Sequence, residues 1–233
     1  MAKNRSKRYE AAAALVEGEK QYALGEAVET IKKFPAPKFD PTVTLSFKLG
    51  VDPRKSDQMV RGSVALPHGT GKSVRVVVFA TGDAAKAAEA AGADEVGLED
   101  LIAKIQGGFT DFDTAIATPD AMKEVRKIAR VLGPRGLMPN PKTGTVTDDT
   151  AAAVNASKAG KIDYKLCKNG NISAAVGKAS FSPEQLAENA EALINSIVKA
   201  KPASAKGNYI QSITLAASMC PGVALDAAAF TTN

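Results

Sequence analysis

The sequence predicts an α/β (α+β) fold in which a discontinuous domain holds an inserted α/β domain. Strand-like segments near both ends of the chain alternate apolar and polar residues, whereas the middle alternates buried strands with helices. The excess positive charge lies entirely outside the middle. We therefore expect residues 1–68 and 159–233 to form one split-βαβ-like domain, and residues 69–158 to form a Rossmann-like α/β domain of independently folding size.

The N-terminal part predicts two helices followed by half-buried strands. Helices are expected at Tyr9–Val16 and Leu24–Phe34, before a proline-rich break. In Thr42–Leu49 every second residue is apolar and the residues between are polar, which is typical of a strand with one solvent face. A second strand of this kind is expected at Val60–Leu66.

The middle of the chain changes character. Val74–Ala80 is apolar except for Arg75, as expected for a strand buried on both faces of a parallel sheet. A short strand is expected at Thr114–Thr118. Helices are expected at Asp83–Ala91, Glu99–Gln106, 119–132 and Asp148–Ala159.

Alternating strands return near the C-terminus. Lys161–Lys168 and Asn171–Val176 flank Asn169-Gly170, a strong hairpin signal, so these strands are expected to pair with each other. A long helix is expected from the N-cap Ser182 to about Lys199. A final strand is expected at Tyr209–Ala217.

Composition excludes several classes of protein. No apolar run approaches the roughly 20 residues of a membrane span, and no apolar region follows the basic N-terminus as in a secretory signal. We expect Cys167 and Cys220 to be reduced in a cytoplasm. With His68 as the sole histidine, no metal set or catalytic triad of recognisable spacing is present, so neither metal nor cofactor is expected.

The charge distribution favours an anionic partner for the flanks. Residues 69–158 contain 11 basic and 12 acidic residues, whereas the flanks together contain 19 basic and 13 acidic residues. If the flanks form one body, that body carries the electrostatic footprint of a nucleic-acid-binding protein. The alternative is a scatter of solvated lysines.

Two glycine-rich segments invite a phosphate-binding interpretation. The only charged residues in 131–146 are Arg135 and Lys142, and the first carboxylate after them is Asp148. General physical chemistry favours a packed connection with two surface cations. The alternative is a loop whose backbone N–H groups and cations face an anion. Residues 69–73 precede a strand, which is the wrong order for a P-loop. Here a hinge between domains is favoured, and the candidate hinge residues are Pro67, Gly69, Gly71 and Gly160.

Several motifs, in order along the chain, resemble one family. Residues 130–142 match Arg-x-Leu-Gly-Pro-Arg-Gly-Leu-Met-Pro-Asn-Pro-Lys, the signature of the bacterial large-subunit ribosomal protein L-one (uL-one) family, the protein of the mobile stalk beside the tRNA exit site. Further matching segments are 38–40, 49–58, 60–62, 66–72, 117–120 and 176–181.

The resemblance implies a non-enzymatic protein that binds 23S rRNA directly, forms the mobile stalk and assists release of deacylated tRNA from the exit site. It also implies repression of the protein's own operon by binding its mRNA, and a monomer when free, with no membrane or small-molecule substrate. The implied rRNA-binding residues are Lys38, Phe39, Thr42, Lys178, Ser212, Ser218, Met219 and Cys220. Arg135 and Lys142 would face tRNA. By position alone, Phe39 is instead a core residue.

Two positions depart from the family pattern, and two other classes of function stay open. Ser218 stands where the family has threonine, a change that keeps the hydroxyl group. Cys220 stands where the family has glycine, which costs about 1 kcal/mol if the backbone there requires a positive φ. We expect Cys220→Gly to tighten RNA binding or leave it unchanged. The alternatives are an α/β enzyme or small-ligand protein using the inserted sheet, and a DNA-binding protein.

Overall fold

The computed structural model describes residues 5–18 and 20–231, and its chain divides into two compact units. The first unit contains the described residues up to Gly71 and those from Ile162 onward; the second contains Lys72–Lys161. The chain therefore passes between the units twice. Both units contain helices and β-strands, which confirms the predicted α+β class.

The first unit is built from helices and mainly antiparallel strands. Its helices are α1 (Lys7–Ala13), α2 (Leu24–Lys32), α8 (Pro183–Lys199) and α9 (Ala228–Thr231). Its strands are β1 (Thr42–Leu49), β2 (Arg61–Ala65), β6 (Lys161–Lys165, whose first residue belongs to the second unit), β7 (Asn171–Lys178), β8 (Ile210–Ala217) and β9 (Gly222–Leu225).

A four-stranded sheet in the order β7-β1-β8-β9 organises this unit. All three strand pairs are antiparallel, and β1 lies between strands that follow it by more than 120 residues. The apolar residues of β1, including Leu45 and Phe47, point to one side and form a core with the buried faces of α2 and α8. Burial of this apolar face holds both ends of the chain in one body.

The expected hairpin of β6 and β7 is not formed. The turn at Asn169-Gly170 exists, with Gly170 at φ 75°, but β6 pairs with β2 and β7 pairs with β1 in a different sheet. Two backbone hydrogen bonds close the turn, from Cys167 N to Asn171 O at 2.8 Å and from Gly170 N to Cys167 O at 3.1 Å. The hairpin prediction was wrong because turn chemistry fixes the local reversal but does not choose each strand's partner.

The second unit is a parallel sheet covered by helices on both faces. Its strands β3 (Val76–Phe79), β4 (Glu95–Gly97) and β5 (Thr114–Ala117) lie in the order β4-β3-β5, and both pairs are parallel. Its helices are α3 (Asp83–Ala90), α4 (Glu99–Gln106), α5 (Met122–Val125), α6 (Ala129–Arg135) and α7 (Thr150–Lys158). Val76 and Val78 pack with α3 and α7, whereas Val77 and Phe79 pack with α4 and α6.

The signature segment 131–146 is not the continuous loop that its prolines suggested. Helix α6 continues through Pro134 to Arg135 and ends at Gly136, which has φ 75°. Pro134 lies one residue before the end of the helix, so it breaks no long run of helix after it, and Gly133 before it has no β-carbon to clash with the proline ring. A 3₁₀ turn at Pro141–Thr143 follows.

Candidate nucleic-acid interface

The side of the four-stranded sheet opposite the core carries small and polar side chains. We call these residues the outer face: Thr42, Thr44, Ser46, Lys48, Asn171, Ser173, Ala175, Lys178, Ser212, Thr214, Ala216, Gly222 and Ala224. None of the four strands contains an aspartate or a glutamate. The outer face therefore offers two ammonium groups and a set of hydroxyls, with no carboxylate of its own strands to repel a phosphate backbone.

Most side chains of the outer face are short, so a partner can approach the backbone of the sheet closely. The hydroxyls of Ser46 and Ser173, on adjacent strands, lie 2.9 Å apart, and the hydroxyl of Thr44 donates to the carbonyl of Ala216 at 3.3 Å. At the far end the Lys48 ammonium donates to the carbonyl of Asn169 at 2.7 Å. Hydroxyl groups both donate and accept, so this surface suits sugar and phosphate oxygens.

Three of the implied rRNA-binding residues converge at the start of β1. The Lys178 ammonium donates to the hydroxyl of Thr42 at 3.0 Å, and the hydroxyl of Ser218 donates to the Thr42 carbonyl at 3.2 Å. The backbone N–H of Ser218 donates to the same carbonyl at 3.0 Å. We call Thr42, Lys178 and Ser218 the Thr42 cluster, in which Thr42 binds a cation through its hydroxyl and a second hydroxyl through its carbonyl.

Lys38 and Phe39 lie in the loop that leads into this cluster. The Phe39 side chain is 49% exposed and takes no part in the core, so the positional argument for a core residue was wrong. Lys38 is also exposed. Asp40 fixes the loop, because its carboxylate accepts hydrogen bonds from the backbone N–H and the hydroxyl of Ser180 at 3.2 Å and 2.7 Å. An exposed aromatic ring on a fixed loop can stack on an unpaired base.

The turn between β8 and β9 positions Ser218, Met219 and Cys220. Met219 has φ 61° and is the only residue other than glycine with a positive φ in the described part of the chain, and its side chain is 70% exposed. Cys220 has no positive φ and packs against the core. The conformation that favours glycine therefore falls on Met219, and the backbone at Cys220 carries no such penalty.

Ser212 belongs to the same face but lies away from the Thr42 cluster. It is opposite Lys48 in the register of β1 and β8, six residues along β1 from Thr42. At about 3.3 Å per residue this separation is roughly 20 Å. The implied rRNA-binding residues thus mark a strip along β1, with most of them at one end.

Sequence reasoning missed two groups beside this strip. The guanidinium of Arg8 in α1 donates to the carbonyl of Met219 at 3.1 Å, and the Arg5 guanidinium lies 4.5 Å from the centroid of the Tyr9 ring. The basic N-terminus was visible in the sequence, but its contact with residue 219 spans 211 positions and leaves no local signal.

The candidate hinge residues differ in how they are held within their units. Buried Asn189 in α8 accepts a hydrogen bond from the backbone N–H of His68 at 3.1 Å and donates to the carbonyl of Gly69 at 3.0 Å. Gly69, Gly71 and Gly160 all have positive φ, at 65°, 71° and 98°. Exposed Pro67 directly precedes the residues bound by Asn189.

Arg135 and Lys142 are exposed cations of the second unit. Arg135 is the last residue of α6, and its guanidinium donates to the hydroxyl of Thr110. The loop around Lys142 does not present free backbone donors to an anion, because several of its N–H groups bond to oxygens within the same loop: those of residues 140, 142, 143, 144 and 145. These bonds support the packed connection with two surface cations over a backbone anion site.

Cys167 follows β6 at the Lys48 end of the outer face. Its exposed sulfur accepts hydrogen bonds from the backbone N–H groups of Asn169 and Asn171, both at 3.4 Å. These bonds, together with the positive charge of Lys48, lower the pKa of the Cys167 thiol below its ordinary value.

Two other kinds of site are absent from residues 5–18 and 20–231. No group of three or more histidine, cysteine, aspartate or glutamate side chains is placed to hold a metal ion. No helix in this range combines the length and apolar character required to cross a membrane.

Comparison with known proteins identifies the family. The sequence model of the Ribosomal protein L1p/L10e family matches residues 31–221. Large ribosomal subunit protein uL1 of Clavibacter michiganensis is 56% identical over 222 residues, which are 95% of this chain and 97% of that protein. The proteins of the same name from Pseudarthrobacter chlorophenolicus (58% identity; 95% and 94% coverage) and Leuconostoc citreum (53%; 97% and 98%) are similar over nearly their whole length. Because the family model covers most of the sequence and these relatives are more than half identical to it, the chain belongs to the ribosomal protein L1p/L10e family.

Proposed function

We propose that this chain is a structural constituent of the large ribosomal subunit, located on the ribosome in the cytoplasm, and that it binds 23S rRNA through the outer face and the Thr42 cluster. The observation that carries the proposal is a sheet face without carboxylates, edged by a fixed lysine and an exposed aromatic ring. Positioned hydroxyls and cations suit phosphate and sugar oxygens, and the aromatic ring suits an unpaired base.

Titration of bacterial 23S rRNA with the full chain tests this proposal. Phe39→Ala removes the stacking surface and should weaken binding about tenfold, in line with roughly 1–3 kcal/mol for one stacked base. Lys178→Gln removes the cation beside Thr42 and should also weaken binding about tenfold, because a hydrogen bond from a charged group contributes roughly 1.5–3 kcal/mol. Lys86→Gln is the control, because it removes one exposed charge from the second unit. Wild-type affinity for 23S rRNA no greater than for an unrelated RNA of equal length would refute the proposal.

The salt dependence of the same titration reports how the RNA is recognised. Each neutralised phosphate contributes a slope of about −0.7 to −0.9 to the dependence of log K on log salt. We expect a modest slope, because hydroxyls outnumber cations on the outer face. Matched RNA and DNA hairpins separate this function from DNA binding, since only RNA offers the 2′-hydroxyl to those hydroxyls.

A role for the second unit in release of tRNA from the exit site is the finer part of the proposal. It is supported by the family resemblance and by the exposure of Arg135 and Lys142. The bonds of Asn189 to residues 68 and 69 favour bending after Gly71 and at Gly160 over bending at Pro67 or Gly69. Ribosomes carrying Arg135→Gln with Lys142→Gln should release deacylated tRNA more slowly, with unchanged rRNA binding; an unchanged release rate would contradict this role.

Repression of the protein's own operon is proposed to use the same surface. If the mRNA presents a structure that imitates the rRNA site, Lys178→Gln should lose repression in cell-free translation of that mRNA, in parallel with its loss of rRNA affinity. A variant that loses rRNA binding but represses fully would show that the mRNA is bound elsewhere.

A further inference from the structure

We infer a nucleotide-binding hollow beside the turn of residues 218–220, formed where the N-terminal helix meets that turn. This inference rests on the proposed rRNA binding and extends it to a part of the chain that the family motifs do not include. The hollow has a volume of about 430 Å³ and is lined by Arg5, Ser6, Arg8, Tyr9, Met219 and Cys220. It is a shallow depression that is open to solvent.

The chemistry of the lining suits one unpaired nucleotide. The Arg5 guanidinium can bind a phosphate through paired N–H donors, and the Arg8 guanidinium adds a second positive charge to the lining. The Tyr9 ring and the Met219 thioether offer flat and adaptable apolar surface to a base. None of the six lining residues is acidic. An acidic peptide would satisfy the arginines as well, but the exposed apolar surface beside them favours a nucleotide.

Arg8 ties this hollow to the proposed rRNA surface. Its guanidinium donates to the Met219 carbonyl at 3.1 Å and lies 4.0 Å from the sulfur of Cys220. Ser218, one residue before Met219, is a member of the Thr42 cluster. The cluster and the hollow are therefore separated by only one or two residues of the protein chain, and one RNA strand can contact both.

Arg8 is thus a positioning residue for Met219, and Arg5 is the side chain freer to bind. The Arg8 bond helps to hold Met219 in its left-handed conformation with the side chain exposed. The Arg5 guanidinium lies over the Tyr9 ring. In such a contact the N–H groups of the guanidinium stay free to donate hydrogen bonds to another group. A phosphate can be bound there without breaking the contact.

Binding of bacterial 23S rRNA by single variants of the full chain tests the hollow. Arg5→Gln should weaken binding about fivefold and reduce the magnitude of the salt slope by about 0.7–0.9, the contribution of one phosphate. Lys7→Gln is the matched control, since Lys7 carries the same charge two residues later, at the start of α1, but does not line the hollow. Equal losses for both variants would overturn the inference, because a diffuse basic terminus would explain them.

A second readout locates the contact directly. Ultraviolet cross-linking followed by mass spectrometry should give a nucleotide adduct on Tyr9 or Met219, and Arg5→Gln should reduce its yield. Failure of the wild type to bind 23S rRNA would refute the proposed function itself. Loss of binding by Phe39→Ala and Lys178→Gln, with full binding by Arg5→Gln, would refute only the inference that the hollow binds a nucleotide. The same inference would be refuted if an acidic protein, and not RNA, were cross-linked to Tyr9 or Met219.

Discussion

The side-chain amide of Asn189 donates a 3.0 Å hydrogen bond to the carbonyl of Gly69, across 120 positions in sequence. The same amide donates to the carbonyl of Val176 at 2.8 Å, and Asn189 itself is fully buried. One helix residue therefore fixes both the last segment of the chain before it leaves the first unit and the edge strand β7.

Replacing Asn189 with alanine should destabilise the first unit by about 2–3 kcal/mol, because buried backbone groups lose their partners. The four tyrosines all belong to the first unit and the chain has no tryptophan, so tyrosine fluorescence during urea denaturation follows this unit. Asn195→Ala is the control, since Asn195 is exposed on the same helix. Equal stability of the two variants would show that the Asn189 bonds contribute little.

Replacing Met219 with asparagine should separate stability from RNA binding. Asparagine tolerates the left-handed conformation better than methionine, so the free energy of unfolding should rise by up to about 1 kcal/mol. Affinity for 23S rRNA should fall, because the exposed thioether is lost. Met59→Asn, at an exposed position with φ −75°, should do neither. Unchanged RNA affinity in Met219→Asn would exclude the Met219 side chain from the interface.

Replacing Cys220 with glycine should leave RNA affinity within a factor of two, because the left-handed residue of the turn is Met219. The variant should lose roughly 1 kcal/mol of stability, since glycine adds freedom to the unfolded chain and removes a side chain packed on the core. Cys220→Ala, which keeps the β-carbon, should lie between the two in urea denaturation. Tenfold weaker RNA binding by Cys220→Gly would contradict the assigned turn geometry.

The second unit should lose stability selectively in acid. The hydrogen bond from Arg75 lowers the pKa of Asp111, and the hydrogen bond from Lys72 lowers the pKa of Asp113. Stability from these pairs is complete above the usual carboxylate pKa of about 3.9 and is lost as pH falls through the lowered values. Thermal unfolding by circular dichroism should therefore be flat from pH 7 to about 5 and shift downward below pH 4.

Asp113→Asn should weaken this acid dependence, because a neutral amide cannot gain a proton in that range. Tyrosine fluorescence supplies the internal control, since it reports the first unit alone. If the acid transition appears in tyrosine fluorescence before circular dichroism, the sensitive carboxylates belong to the first unit and the assignment is wrong.

Cys167 should react with iodoacetamide several-fold faster than Cys220. Its sulfur is exposed and its thiol pKa is lowered by the N–H groups of Asn169 and Asn171, whereas Cys220 is partly buried against the core. The rate at Cys167 should rise with pH to a midpoint below 9. Peptide mass spectrometry measures both sites in one sample, and denaturation in urea should abolish the difference if the fold causes it.

Elements with clear periodicity could be predicted from the sequence, whereas choices of partner could not. The bounds of β1 and α4 agree with the alternation in Thr42–Leu49 and the helical pattern in Glu99–Gln106. Strand β9 was missed because four residues after Pro221 are too short to show a period. The helix predicted at 119–132 ended before Arg135, the last residue of α6. Pro134 was treated as a helix breaker, although a proline so close to the helix end is tolerated.

The same limit applies to the candidate interface. The residues of the Thr42 cluster were indicated by motifs, but their hydrogen bonds join positions 42, 178 and 218, and no local pattern encodes them. Phe39 follows a proline-rich break and precedes a strand, a context that does not separate an exposed ring from a buried one. The contact of Arg8 with Met219 had no sequence signal at all.

The order β7-β1-β8-β9 has a consequence for biosynthesis. Strand β1 is translated early, yet its two neighbours emerge only after the entire second unit has been made. The four-stranded sheet of a nascent chain is therefore incomplete until translation is almost over. Only a nearly full-length product can present the outer face as one complete surface.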